Sequence, residues 1–140
     1  MGEPFWIALL AESYLLAHEP EKALRVLDEA LEYSKETDDR FYLSEIYRIK
    51  GESLLICTNS EFRSEAAGWL EQALKVARSQ NSSSLTLRAG TSLARSLCER
   101  GRREEAHDLL SPVRRELTDR SVTPDINDAE RLLAQLRKVS

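Results

Sequence analysis

At 140 residues, with 41% hydrophobic and 31% charged side chains, the chain suits one helical domain or one piece of a larger array. No run of about 18 apolar residues is present, so no membrane-spanning helix is expected. The net charge of −4 is uneven: residues 1–38 hold 9 acids against 3 bases and residues 82–123 hold 8 bases against 6 acids, a balance that disfavours a whole-chain nucleic-acid binder.

The first helix is expected over about 4–17, with Phe5, Ile7, Leu10, Ala11, Tyr14 and Leu15 at helical spacing. His18-Glu19-Pro20 makes a tight turn, and Pro20 opens the second helix, where its missing N–H costs nothing. That helix runs to about Ser34 with Ala23, Leu24, Leu27, Ala30 and Leu31 on one face. Thr37-Asp38-Asp39 supplies a cap for a third helix over about 39–57. Thr58 and Glu61 have capping-box spacing ahead of a fourth helix over about 60–79. A polar turn, Gln80 to Ser84, precedes a fifth helix over about 83–99, and Gly101 turns the chain into a sixth over about 102–117. Pro112 inside the sixth predicts a kink or irregular turn near Leu109. After a linker at Arg120 to Thr123, Thr123 caps a seventh helix over about 124–138, with Pro124 in its first turn and Asp125 at the positive end of its dipole. Ala129, Leu132, Leu133 and Leu136 give it one apolar stripe, the pattern of a terminal helix that closes a stack. No alternating β-branched run occurs, so no strand is predicted.

One device is written three times. Ala23, Leu27, Ala30 and Leu31 recur as Ala66, Leu70, Ala73 and Leu74, and more loosely as Ala106, Leu110 and Val113, with the leading alanines 43 and then 40 residues apart. Each has an upstream partner centred on Ala11, Gly51 or Ala94, and the intervals Ala30 to Gly51 and Ala73 to Ala94 are both 21. Small residues let two helices approach closely while Leu and Tyr fill the flanks. A period in this range means an all-α solenoid of helical hairpins, for which three repeats are about the minimum.

At these residues the chain resembles the tetratricopeptide repeat. Ile7, Leu10, Ala11, Tyr14, Ala23, Leu27, Ala30 and Leu31 fall at the motif's spacing, although His18 replaces the usual turn glycine and Lys35 the usual closing proline. The second unit keeps Gly51, Ala66, Leu70 and Ala73 but has three extra residues near Thr58 to Arg63, and the third has Gly90 where a large apolar residue is usual. The resemblance implies a right-handed α-α superhelix with repeats over about 4–37, 40–80 and 83–117 and a capping helix over about 124–138, a single domain across 1–140. A narrower likeness rests on Ala11 to Tyr14, Glu45 to Glu52, Leu87 to Arg95 and Thr123-Pro124-Asp125. These segments are similar to the C-terminal repeat region of large bacterial multidomain signalling proteins, in which a cyclase or transcription-regulator domain accompanies a signalling ATPase domain. That likeness implies a cytoplasmic regulatory or scaffolding tail with catalysis in other domains.

In such a stack the first helix of each pair lines the concave face. By the repeat register its outward polar residues are Glu12, Glu45, Arg48, Glu52, Arg88, Thr91 and Arg95, a groove suited to gripping a peptide by charge and hydrogen bonds. The blander reading is links between repeats plus solvated charge. Other chemistry is thin. His18 and His107 have no second ligand at i+4, Cys57 and Cys98 have no CxxC pattern, and the five glycines form no phosphate loop, so neither metal nor cofactor is expected. The Arg100, Arg102 and Arg103 cluster reads first as a solvated turn. Phe5 and Trp6 sit where a preceding repeat would pack, so a chain cut from a longer protein is expected to self-associate there. The expected function is a protein–protein interaction module without catalysis; the alternative is a nucleic-acid-binding helical repeat.

Overall fold

The computed structural model describes residues 4–37, 42–57, 59–116 and 124–137. The protein is all-α. Its helices are α1 (Pro4–Leu16), α2 (Pro20–Thr37), α3 (Leu43–Leu55), α4 (Ser60–Ser79), α5 (Ser83–Glu99), α6 (Arg103–Arg115) and α7 (Pro124–Arg137), and no strand occurs among the described residues.

Three turns share one stop signal. At the ends of α1, α4 and α5 a residue enters the left-handed region: His18 at φ 59°, Asn81 at 55° and Gly101 at 80°. Each is bracketed by the paired backbone hydrogen bonds of a Schellman motif, as when Glu19 N donates to Tyr14 O at 2.8 Å and His18 N to Leu15 O at 3.0 Å. Only Gly101 reaches this conformation without a Cβ penalty. Helix starts are less uniform. Ser82 caps α5 by accepting from Leu85 N, and Pro20 opens α2 as the sequence suggests.

Several expected boundaries are corrected. α2 continues three residues past Ser34, so Thr37 closes it rather than capping α3; Asp38 and Asp39 lie outside the described residues. α3 begins only at Leu43, after Tyr42, which makes no side-chain cap. The cap of α4 is Asn59, whose side chain accepts from Glu61 N at 2.8 Å; Thr58, the expected cap, lies outside the described residues, as does Thr123 before α7. α6 runs unbroken through Pro112 to Arg115. A proline so near the end of a helix removes one late hydrogen bond, and Glu116 N still closes the last turn on Pro112 O at 3.0 Å.

Neighbouring helices pack in chain order. The odd-numbered ones also touch along a row, α1 on α3, α3 on α5 and α5 on α7; among the described residues the even-numbered ones do not come within 8 Å of one another at their Cα atoms. The apolar interior follows this two-row plan in three successive cores. The first joins Ala8, Ala11, Ala23, Leu27 and Ala30 to Ile46 and Ile49 of α3. The second joins Leu70, Ala73 and Leu74 to Ala89 and Leu93. The third joins Leu87, Ala94, Ala106, Leu110 and Val113 to Ile126, Ala129, Leu132, Leu133 and Leu136 of α7. The small residues do the expected work: Ala11, Ala23, Ala66, Ala94 and Ala106 are wholly buried.

The first helix is where periodicity misleads. Leu10 is 46% exposed and Ala8 is buried in its stead. α1 is apolar almost all round, so spacing alone does not choose its inner face. Trp6, Leu9, Leu10 and Leu16 stay exposed. Polar ties supplement the cores. Ser44 Oγ donates to Ala73 O at 2.9 Å, and Lys50 pairs with Asp28 at 3.0 Å while lying 4.1 Å over the Trp69 ring.

Candidate functional site

The outward polar residues of the odd-numbered row form a charge ladder. The 3.6-residue repeat of α3 stacks Glu45, Arg48 and Glu52 on one face. Arg48 donates from Nε to Glu45 Oε2 at 2.8 Å and from Nη1 to Glu52 Oε2 at 3.0 Å. The ladder crosses to α5, where Arg88 Nη1 donates to Glu45 Oε1 at 2.6 Å and Ser92 Oγ to Glu52 Oε1 at 2.9 Å. Arg95 lies 3.6 Å from the same Glu52 oxygen. It crosses again to α7, where Asp125 takes Arg88 Nε on both oxygens, at 3.1 and 3.0 Å.

Burial decides what these contacts are worth. Burial pushes the Glu45 carboxyl up, yet the Arg48 and then the Arg88 guanidinium outweigh it and hold Glu45 below the usual carboxylate range. Burial works against a charged Arg48, but Glu45, Glu52 and the more distant Glu12 keep it firmly protonated. Arg88 likewise is raised against its own burial by Glu45 and Asp125. Glu45, Arg48, Glu52, Arg88 and Asp125 are therefore committed to one another, and their clearest role is to tie α3, α5 and α7 together.

An open pocket of about 380 Å³ lies over this ladder, lined by Glu12, Arg48, Glu52, Arg88, Thr91 and Arg95 together with Ser92, Asp125 and Asp128. All nine come from the odd-numbered helices. Six of the seven residues expected in the groove line it, and Glu45 stands just behind, bonded to both Arg48 and Arg88. Among the described residues, two charged members of the six have ligand-binding capacity to spare: Glu12 is half-buried with no side-chain hydrogen bond, and Arg95 is half-exposed with a single long contact. Thr91 is 4% exposed and its hydroxyl has no partner.

Sequence reasoning missed Ser92, Asp125 and Asp128. Asp125 reads from sequence as a dipole-compensating acid, and it does sit in the first turn of α7. Its pairing with a residue 37 positions earlier leaves no local mark in the sequence. The signal that exists is register. Glu45 and Arg88, and likewise Glu52 and Arg95, stand 43 apart, so opposite charges occupy equivalent places on adjacent odd helices.

Other clusters offer less. Ser111 Oγ lies 3.4 Å from His107 Nε2 and His107 Nδ1 lies 3.9 Å from Asp108, the order of a nucleophilic triad, but both contacts are long, the Asp is exposed and the three share one turn of α6 outside the pocket. Cys57 is buried and donates to Ser53 O, and burial, with Glu21 nearby, raises its thiol above the usual range, the setting of an inert cysteine. Cys98 is only partly buried. Among the described residues no group of three His, Cys, Asp or Glu could hold a metal ion, and no helix is long and apolar enough to cross a membrane. A shallower groove on the opposite side runs between α4 and α6 over Leu74, Leu93, Leu97 and Leu109. No protein-family model, no curated protein and no solved structure matches the chain.

Proposed function

We propose that the protein is a right-handed superhelical stack of tetratricopeptide-like hairpins, and that it serves as a protein–protein interaction module holding a peptide or a partner's surface along its odd-numbered row. The supporting observation is that residues chosen from repeat register alone gather on one face, around a pocket whose described lining comes from odd-numbered helices. The close row of odd helices is the concave side of such a superhelix, and its polar lining suits hydrogen-bonded docking of an extended or helical segment. In this reading the chain has no catalytic role of its own. The likeness at Glu45 to Glu52 and Leu87 to Arg95 favours a regulatory tail within a larger cytoplasmic signalling protein.

A photo-crosslinking side chain placed at Arg95, against one at Glu29 on the exposed face of α2, tests the groove. Cross-links from position 95 that are absent from position 29, and that unlabelled protein competes away, are the expected result. Equal yield from both positions retires the reading. Nucleic acid is the poorer alternative, because carboxylates outnumber guanidinium groups around the pocket and would repel a phosphate backbone.

A further inference from the structure

The pocket carries more charge than its ladder consumes. Its lining holds four carboxylates, Glu12, Glu52, Asp125 and Asp128, against three guanidinium groups, and Glu45 behind them makes the excess two. The arginines are largely spent. Arg48 is enclosed by Glu45 and Glu52, and Arg88 is shared between Glu45 and Asp125. Among the described residues the spare capacity lies with the acids: Glu12 forms no side-chain hydrogen bond and acts on Arg48 through its charge alone, and Asp128 has only a long 3.8 Å contact to an exposed Arg131. A negative field at the mouth of a partly enclosed pocket draws in cations.

A second observation points the same way independently of charge. Thr91 is almost wholly buried, lines the same pocket and has a hydroxyl without a partner. Buried polar atoms are nearly always satisfied, so an orphan beside a cavity marks a place for an incoming donor or acceptor. In register Thr91 stands 43 residues after Arg48, and 40 residues before Arg48 comes Ala8. At the Thr91 level the row therefore supplies a small hydroxyl where α3 supplies a long cation, which leaves room above α5 for a side chain from outside.

We propose that this pocket takes a basic side chain, Arg or Lys, of a peptide segment, with Glu12 and Asp128 as the acceptors of its charge and the Thr91 hydroxyl bonding the same segment. The proposal rests on the docking groove inferred above and names its ligand chemistry. Arg95, which lines the pocket with a single long contact to Glu52, favours an acidic residue elsewhere in the bound segment.

The test uses fluorescein-labelled nonapeptides of alternating Arg and Ala and of alternating Glu and Ala, titrated by anisotropy at low salt, with backbone amide shifts followed by NMR. The expected result is binding of the Arg peptide only, with shifts centred on Thr91 and Ser92. A Glu12→Gln/Asp128→Asn variant, which removes the charge of both acceptors, should bind at least about tenfold more weakly. Glu29→Gln/Glu32→Gln, which removes the same charge from the exposed face of α2, should leave affinity unchanged. Equal weakening by the two double variants, or none by the first, overturns the proposal in favour of diffuse attraction to an acidic protein. Preferential binding of the Glu peptide, lost in Arg95→Gln, overturns it while leaving the groove standing. If neither peptide binds and position 95 also cross-links nothing, the groove itself fails with it.

Discussion

Gly51 and Leu70 meet across the second hairpin so closely that a Cβ on Gly51 would lie 2.6 Å from Leu70 Cγ and 3.2 Å from Ala66 O. Leu70 is wholly buried and cannot swing aside. Gly51→Ala should therefore destabilise by about 1–3 kcal/mol, although Ala is the better helix former. Adding Leu70→Ala to it should cost less than the two single changes summed, because each relieves the other. Gly68 is the internal control: a Cβ there meets nothing within 4 Å, and Gly68→Ala should stabilise by up to about 1 kcal/mol. Urea melts of the four variants decide the matter, and a neutral Gly51→Ala would refute the close approach.

Glu45 makes stability depend on acid. Its folded carboxyl is held below its ordinary 4.5, so the stabilisation is fully present above that value and is lost as pH falls through the lower folded one. Thermal melts from pH 7 down to 3 should show this loss, and Glu45→Gln should flatten that part of the profile. At pH 7 the same change should cost about 2 kcal/mol, the scale of a hydrogen bond to a charged group. Parallel pH profiles for the two proteins would count against the ladder.

His18 holds a left-handed conformation that a Cβ disfavours, inside a complete Schellman motif. His18→Gly keeps both hydrogen bonds and should raise stability by about 0.5–1 kcal/mol. Asn81→Gly should gain less, since Asn tolerates this region better. A loss in His18→Gly would mean that the imidazole makes a contact worth more than the strain.

Trp6 at 61% exposure, with Leu9, Leu10 and Leu16, gives α1 an apolar outer face; the side chain of Phe5, the other expected contact, lies outside the described residues. We infer self-association through this face. Sedimentation should show concentration-dependent mass in wild type that Trp6→Ser/Leu10→Ser reduces at least severalfold, while Phe62→Ser on α4 leaves it in place. Unaltered sedimentation in the first variant removes the case.

How far the chain could be read depends on what fixed the phase of each helix. α4 and α5 were legible to the residue, because each pairs a polar turn with a strongly one-sided apolar stripe. α1 has no polar face to oppose its apolar one, so Leu10 and Ala8 exchange places relative to expectation. In the site, register located Glu45, Arg48, Glu52 and Arg88, because evenly spaced small residues set the rotation of α3 and α5 alike. Asp125 escaped because α7 has a different spacing from α5, and only the folded geometry brings it to Arg88. The partition of the ladder into spent and unspent charges was also illegible, since it turns on distances of a few tenths of an ångström.

The two rows differ in one mechanical respect. The odd-numbered helices grip one another directly and by shared ions, whereas an open furrow runs between α4 and α6. Among the described residues, spreading α4 from α6 breaks no ion pair, while parting α3, α5 and α7 severs ionic links. A guest lodged over the odd-numbered row would therefore lean on the very ties that hold α3, α5 and α7 together.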